Sequence, residues 1–459
     1  MTMGTENWLG GGEEPAEALD TSDTVVPSPH SQNTELGSGL DNDAKTKRVR
    51  GKPARAAADD DDSAPIESSG KPRHGVKQRK GLRAAVIAVL AVVLVVGGGV
   101  VWIWSDLNSK LNKVGIDHIL DTTRPPSSTP TASVKYPGDP FAGKPVNVLV
   151  LGTDSREGGN QTVAGDDPGG VRSDTTFIAH ISADRQRAYV VSIPRDTWIT
   201  IPKCLAEDGS IIPEAGWMHM GFNAAFAYGY DSGGGIATGA ACAIRAVEAM
   251  SDVRIDAYMV VDFQGFIEVV DALGGLDVTL LCAVKSSAAR INLPKGVVHL
   301  DGKAAIGLAR ARKGTGLGDG SDLQRIRRQH ALFSAIAAKT VSLNYITDFP
   351  KLYQLVGAVM SSITTDLGSD VTAVAGFAYS LKDLDMDNVT FITIPIGDAG
   401  NGVNVVILDY LAQPVWTALR EDTPLPDSVV TKSPNPTASA TTTTTTPKAP
   451  VIQSPSDCN

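Results

Sequence analysis

From Ala84 to Trp104 the chain carries no charged side chain, and about 20 such residues make a helix long enough to cross a bilayer's hydrocarbon core of about 30 Å. A buried core helix is the competing reading. This stretch is apolar on every face, however, and ends in Trp102 and Trp104, residues that suit the membrane interface. A cleaved signal sequence has a short leading region and a small-residue cleavage site, whereas here a long segment precedes and bulky tryptophans close the run. The stretch therefore reads as a retained single anchor. Lys71, Arg73, Lys77, Arg79, Lys80 and Arg83 stand before it, against Lys110 and Lys113 soon after. That asymmetry puts the N-terminus in the cytoplasm and the bulk of the chain outside.

What flanks the anchor sorts by composition. Residues 1–83 are poor in large apolar residues and include the run Asp59 to Asp62, so a disordered cytoplasmic region is expected. The Pro-rich stretch Arg124 to Pro145 reads as part of a linker over 105–145, with Asp106 to Asp121 able to extend as a short membrane-proximal helix. Residues 146–422 are expected to form the extracytoplasmic globular domain. Residues 423–459, with a run of threonines and scattered Pro and Ser, have the composition of a solvated tail without chemistry. An outer domain allows disulfides. Cys204 with Cys242 is the favoured pair, Cys282 is left over and Cys458 falls in the tail; spacing alone does not fix connectivity. The net charge of −10, with no basic stripe outside the juxtamembrane cluster, excludes nucleic acid as a natural partner.

Within the domain, apolar runs and periodicity predict strands at Val146 to Leu151, Thr175 to Ile181, Arg187 to Ile193, Asp256 to Val261, Leu276 to Leu281 and Val389 to Pro395. Helical spacing appears at Gly235 to Met250, Phe263 to Leu273, Gly302 to Leu308, Ser321 to Val341, Phe349 to Ser362 and Val371 to Ser380. The mixture predicts an α/β fold, an α-β-α sandwich around a central mixed β-sheet.

HExxH, GxSxG and the P-loop are absent. The run Gly233 to Gly235 reads as a turn before a helix, and His180, His219, His299 and His330 have no ligand-like spacing. Acid-arginine pairs stand out instead, placed where strands end: Asp154 and Arg156, Arg172 and Asp174, Arg195 and Asp196. Surface ion pairs are common and weak, but ligand sites of α/β sheets gather at strand ends. Ala309-Arg310-Ala311-Arg312 alternates, so an extended backbone there would aim both guanidinium groups one way. Ser321 suits an N-cap, and Asp322, Arg325 and Gln329 share one stripe of the following helix, beside an apolar stripe of Leu323, Ile326 and Phe333. Arg327 and Arg328 read as solvated. Together Arg172, Arg195, Arg310, Arg312 and Arg325 would form a cationic pocket suited to pyrophosphate. Asp154 and Asp174 would repel phosphate unless Mg²⁺ or Mn²⁺ lay between.

These motifs, GTDSR, RSDT, SIPRDTW, GFNAAFAYG, VDFQGFIEVVDALGGLDV, ARAR and DLQRIRRQ, resemble in their order the LytR-CpsA-Psr family of bacterial envelope proteins, over roughly Val146 to Val341. The stretch on to about Glu421 looks like the extension of actinobacterial members. The resemblance implies a phosphotransferase that moves an anionic glycopolymer from a polyprenyl-pyrophosphate carrier to peptidoglycan, at the muramic acid 6-hydroxyl. Carried over by motif, Asp154 and Asp174 would hold Mg²⁺, and Arg195, Arg310, Arg312, Arg325 and Gln329 would grip the pyrophosphate. Arg172 would sit by the reacting phosphate, with Asp322 near the site. The general base is either Asp174 or Asp322. Walls for the lipid tail are expected from the helices beginning at Gly235 and Phe263, and the loops Glu157 to Val171 and Lys313 to Gly320 depart from the pattern. Two other readings compete: a lipid-pyrophosphate hydrolase with water as acceptor, which a glycan groove would argue against, and a non-enzymatic envelope protein that binds the carrier. In the latter a missing pocket Asp or Arg would be the sign, and none is missing.

Overall fold

The computed structural model describes residues 78–120, 122–153, 171–343, 347–402, 404–430 and 449–458, with the backbone alone given at 78–86, 216–219 and 430. The expected disordered region lies outside these residues up to 77. Asp154, Arg156 and the loop from Glu157 to residue 170 lie outside as well.

Helix α1 (Gln78–Lys110) leads into strand β1 (Asn112–Lys113). Then come β2 (Val146–Thr153), β3 (Ser173–Ile181), β4 (Ala188–Ile193), α2 (Asn223–Gly233), α3 (Ile236–Ser251), β5 (Ala257–Val261), α4 (Phe263–Ala272), α5 (Gly302–Arg310) and α6 (Asp322–Val341). The chain continues with α7 (Phe349–Ser362), β6 (Ile363–Thr365), α8 (Val371–Ser380), β7 (Val389–Thr393), α9 (Asp409–Glu421) and α10 (Asp427–Val430). The central sheet runs β1-β6-β5-β2-β3-β4-β7. β2 pairs parallel with β5 and antiparallel with β3, β3 is antiparallel to β4, and β4 is parallel to β7. The sheet is therefore mixed, as expected.

Because side chains alternate along a strand, β2 feeds two cores. Leu149 and Leu151 pack with Ile178 and Val191 in a cluster with Phe226, Ala240, Ile244 and Trp416 of α2, α3 and α9. Val146 and Val148 join Ile181, Ala257, Met360, Val374 and Phe377 on the other face. Helices therefore cover both faces, completing the sandwich. A third core lies apart, where Ile267, Val270, Leu308, Leu332 and Leu355 of α4 to α7 pack with the antiparallel ribbon Leu276–Leu280 and Gly296–Leu300. The apolar residues of α3 and α4, expected as lipid walls, are spent on the first and third cores.

Among the described residues one stretch, Ile87–Lys110 in α1, is long and apolar enough to cross a membrane, and none of its apolar window is buried. The helix runs on to Lys110, so the separate short helix expected after it is replaced by the end of α1 and a turn. The segment expected as a linker is docked. Ile116, Ile119 and Leu120 are buried in the first core. Arg124 forks onto the buried Glu248 at 2.7–3.1 Å, and Asp139 pairs with the buried Arg185 at 2.7 Å. Charge and Pro content hid these contacts, because each depends on a partner far along the chain.

The expected disulfide Cys204–Cys242 is present, with Cα atoms 5.3 Å apart. Cys282, expected to be left over, pairs with Cys458 at a Cα separation of 5.7 Å. That corrects the reading of the tail at its end: residues 449–458 return to the domain, with Val451 bridging Thr279. Residues 431–448 and 459 lie outside the described set.

Candidate active site

One end of the sheet carries the C-terminal ends of β2 and β4 and the start of β3, since Thr153 pairs with Ser173 and Ile193 with Thr176. Arg195 follows β4 and Asp174 opens β3. Arg195 Nη1 donates to Asp174 Oδ1 at 2.9 Å, and its Nε faces Asp196 Oδ1 at 3.5 Å. The third core supplies the opposite wall. Arg325 Nη2 donates to the Asp174 carbonyl at 2.9 Å and lies 2.6 Å from Asp322 Oδ1. The seam between the two thus carries an alternating chain of charges: Asp196, Arg195, Asp174, Arg325, Asp322.

Burial sets how these groups hold their protons. Burial raises the Asp322 carboxyl pKa, and Asp196 adds to that, against Arg325, Arg195 and Arg312. Neither Asp322 oxygen is hydrogen-bonded among the described residues. Burial pulls the Arg325 guanidinium down, partly offset by Asp322 and Asp174, with Arg195 and Arg312 adding like-charge repulsion. Burial opposes the Arg195 cation too, but Asp174 and Asp196 outweigh it and its pKa is raised. The Nε atoms of Arg195 and Arg325 are buried without a hydrogen-bond partner among the described residues, as are the hydroxyls of Ser173 and Thr197.

The alternating arginines have a different backbone from the extended one expected. Arg310 ends α5, Ala311 caps it in an extended conformation, and Arg312 starts the loop. Ala309 and Ala311 are still buried, at 7% and 1% exposure, so both arginines face away from the core across the helix end. Arg310 lies over Phe263, its Cζ 4.1 Å from the ring centroid, a cation–π contact that fixes the guanidinium plane. Arg172 is exposed on the approach to β3.

Gln329 is brought to the seam, yet its Nε2 donates to Thr175 Oγ1 at 3.0 Å and to the Ala309 carbonyl at 3.2 Å. Both amide protons are thereby used. In this structure it ties the sheet to the arginine segment. Two further residues depart from expectation on α6. Leu323, expected in the core, is 38% exposed and lines a cavity of about 480 Å³ with Arg327, His330, Tyr410, Leu411 and Val429. Arg328, expected in solvent, is 0% exposed and donates to the Leu317 and Ala311 carbonyls. Burial lowers its pKa to about 10. Thr175 and Phe263, which also shape the seam, had only their neighbourhood to strand-end motifs as a signal.

His180 and His330 are buried and bonded within the fold, to Asn147 and Ser192 respectively, and His299 pairs with Asp277 at the surface. No group of three or more His, Cys, Asp or Glu among the described residues could hold a metal ion.

The model of the LytR_cpsA_psr family matches residues 117–420. The probable cell wall biosynthesis protein LcpB of Corynebacterium glutamicum is 30% identical over 336 residues, spanning 70% of this chain and 68% of its own. TagU of Oceanobacillus iheyensis, named a polyisoprenyl-teichoic acid–peptidoglycan teichoic acid transferase, is 29% identical across 65% of this chain and 82% of its own. The solved structure of Bacillus subtilis TagV aligns with 61% of this chain and 99% of its own at 24% identity, with a TM-score of 0.45. The family match begins at residue 117, inside the docked segment, and takes in both walls of the seam and the helix α9 behind the sheet: the chain belongs to the LytR_cpsA_psr family.

Proposed function

We propose that the domain is a phosphotransferase that moves an anionic glycopolymer from a polyprenyl-pyrophosphate carrier to the muramic acid 6-hydroxyl of peptidoglycan, outside the cytoplasmic membrane in which α1 is anchored. The observation that carries this reading is the convergence of Arg195, Arg312 and Arg325 around Asp322 and Asp174 at one seam of an acidic protein. Planar guanidinium groups suit paired phosphate oxygens, and relatives such as TagU are named polyisoprenyl-teichoic acid–peptidoglycan teichoic acid transferases.

Arg195 and Arg325, whose buried Nε donors make no hydrogen bond among the described residues, hold the pyrophosphate oxygens, and Arg310 and Arg312 meet them from the helix end. The acceptor oxygen attacks the phosphorus that bears the sugar, the bond from that phosphorus to the bridging oxygen breaks, and polyprenyl phosphate leaves. Asp322, its pKa raised by burial, is the better base for the hydroxyl proton; Asp174 is committed to Arg195. Catalysis of this kind is mostly positioning and charge stabilisation.

A divalent ion fits this donor set in part. Asp174 keeps 31% of its side chain exposed beside the arginines, and Mg²⁺ commonly takes one or two carboxylates with the rest from phosphate and water. Asp174, with Asp154, would hold it, and the ion would neutralise phosphate charge.

The test is full-length protein in detergent with a polyprenyl-pyrophosphate-linked saccharide, peptidoglycan fragments and Mg²⁺ or EDTA. A phosphodiester-linked product is expected, lost in Arg195→Ala and Arg310→Ala and reduced by EDTA. Free sugar phosphate in place of that product means a hydrolase, and full activity in both variants refutes the site.

A further inference from the structure

The C-terminal residues 449–458 are fastened to the domain at several points. Cys458 is bonded to Cys282. Thr279 N donates to the Pro450 carbonyl and Ile452 N to the Thr279 carbonyl. Gln453 Oε1 accepts from Cys282 N at 3.0 Å, while its Nε2 donates to the Gly316 carbonyl at 2.6 Å. Gly318 N donates to the Asp457 carbonyl at 3.0 Å. Gln453 and Asp457 are 4% and 3% exposed, so this strap is packed in as core.

What the strap grips is the loop Lys313 to Gly320. Gly314, Gly316, Gly318 and Gly320 all have positive φ, a backbone that glycine adopts freely and that holds little shape unaided. Its shape comes from neighbours: Thr315 pairs with Lys285 through both backbone bonds, and Gln453 and Asp457 hold the next turns. Arg328, buried between, links this loop to the site by bonding Leu317 within it and Ala311 between Arg310 and Arg312. Asp457 supplies the largest opposing charge to that guanidinium.

We propose that the C-terminal strap is a positioning element for the pyrophosphate site: Gln453 and Asp457, held by Cys282–Cys458, set the glycine loop and through Arg328 the placement of Arg312. This rests on the reading of Arg312 as a pyrophosphate ligand. The strap makes no contact with substrate. Its effect is on affinity for the anion, exerted through Arg312.

The experiment measures binding of inorganic pyrophosphate to full-length protein in detergent, with unfolding followed in parallel. Four proteins form a cycle: the parent, Gln453→Glu, Arg312→Ala and both together. Gln453→Glu keeps the acceptor for Cys282 N and removes the donor to Gly316. Binding about tenfold weaker is expected in each single variant, the scale of coupling between linked residues, with no further loss in the double variant. The Cys282→Ser, Cys458→Ser double variant is expected to lose at least as much as Gln453→Glu. Losses that multiply in the Gln453–Arg312 cycle, or wild-type binding in Gln453→Glu, overturn the strap's role. Unchanged binding in Arg312→Ala refutes instead the assignment of Arg312, and with it the reading on which the strap depends.

Discussion

Removing the carboxylate of Asp139 tests whether residues 124–145 are a tether or a structural part of the domain. The Asp139 and Arg185 side chains are 1% and 3% exposed, paired at 2.7 Å. Asp139 Oδ2 accepts from both Nε and Nη2 of Arg185, whose remaining donors reach the carbonyls of Phe141, Lys144 and Ser182. In Asp139→Ala the guanidinium stays buried among three carbonyls without a counter-charge, a loss of about 3–5 kcal/mol. Replacing both partners by apolar residues, Asp139→Leu with Arg185→Met, removes the orphaned charge and is expected to recover only part of that, because the Phe141, Lys144 and Ser182 carbonyls lose their donors. Denaturant unfolding of the full-length protein in detergent, followed by tryptophan fluorescence, measures both. An Asp139→Ala shift below about 0.5 kcal/mol, the size typical of a surface change, would refute the docking of this segment and restore the picture of a free spacer.

Burial raises the Asp366 pKa from 3.8 to about 7, against the hydrogen bond from Tyr258 N. A raised folded-state pKa means stability that is present below the unfolded value and lost as pH climbs through the folded one, so unfolding midpoints should fall between pH 4 and 7 in the parent and stay flatter in Asp366→Asn. Parallel pH profiles for the two would exclude this carboxyl as the cause. Gly265→Ala places a Cβ 2.6 Å from Ser362 Cβ and 2.7 Å from its carbonyl, where α4 meets the end of α7; thermal unfolding should show about 1–3 kcal/mol of destabilisation, and a neutral outcome would contradict that packing. Arg328→Met strands the Ala311 and Leu317 carbonyls, each worth about 1–3 kcal/mol when left unpaired and buried, and should lower both stability and pyrophosphate affinity in binding and unfolding assays.

The strands and helices that carry the cores were legible because each has a strict period. Phe349–Ser362 and Val371–Ser380 appear at the bounds read from apolar spacing, and β2 to β4 within a residue or two. The helix Asn223–Gly233 was missed inside a motif read for its resemblance, its Gly and Tyr content masking the turn spacing. Asp409–Glu421 was missed because Pro414 sits within it. At the site, residue types and strand-end placement pointed to Asp174, Arg195, Arg325 and Asp322. Local sequence could not separate Arg328 from Arg327, adjacent on one helix: one is enclosed by the glycine loop and the C-terminal strap, and both of those arrive from elsewhere in the chain.

Local pairing explains why so much charge can stand at the seam. An isolated buried guanidinium or carboxylate is costly, and here each has a partner on its own side of the boundary between two cores: Arg195 with Asp174 at the sheet, Arg325 with Asp322 on α6. Gln329 ties the two sides by bonding Thr175 on one and Ala309 on the other. Arg325 Nη2 adds a second tie, to the Asp174 carbonyl, so a shift of one core against the other breaks these hydrogen bonds while leaving each charge pair intact. On the proposed function, a pyrophosphate entering this seam would compete with Asp174 and Asp322 for the same guanidinium groups. Its binding would then be strongest when Asp322 carries a proton, whereas transfer would require that proton to be gone if Asp322 is the base. Burial, which raises the Asp322 pKa, moves that carboxyl toward the protonated form that an incoming anion would favour.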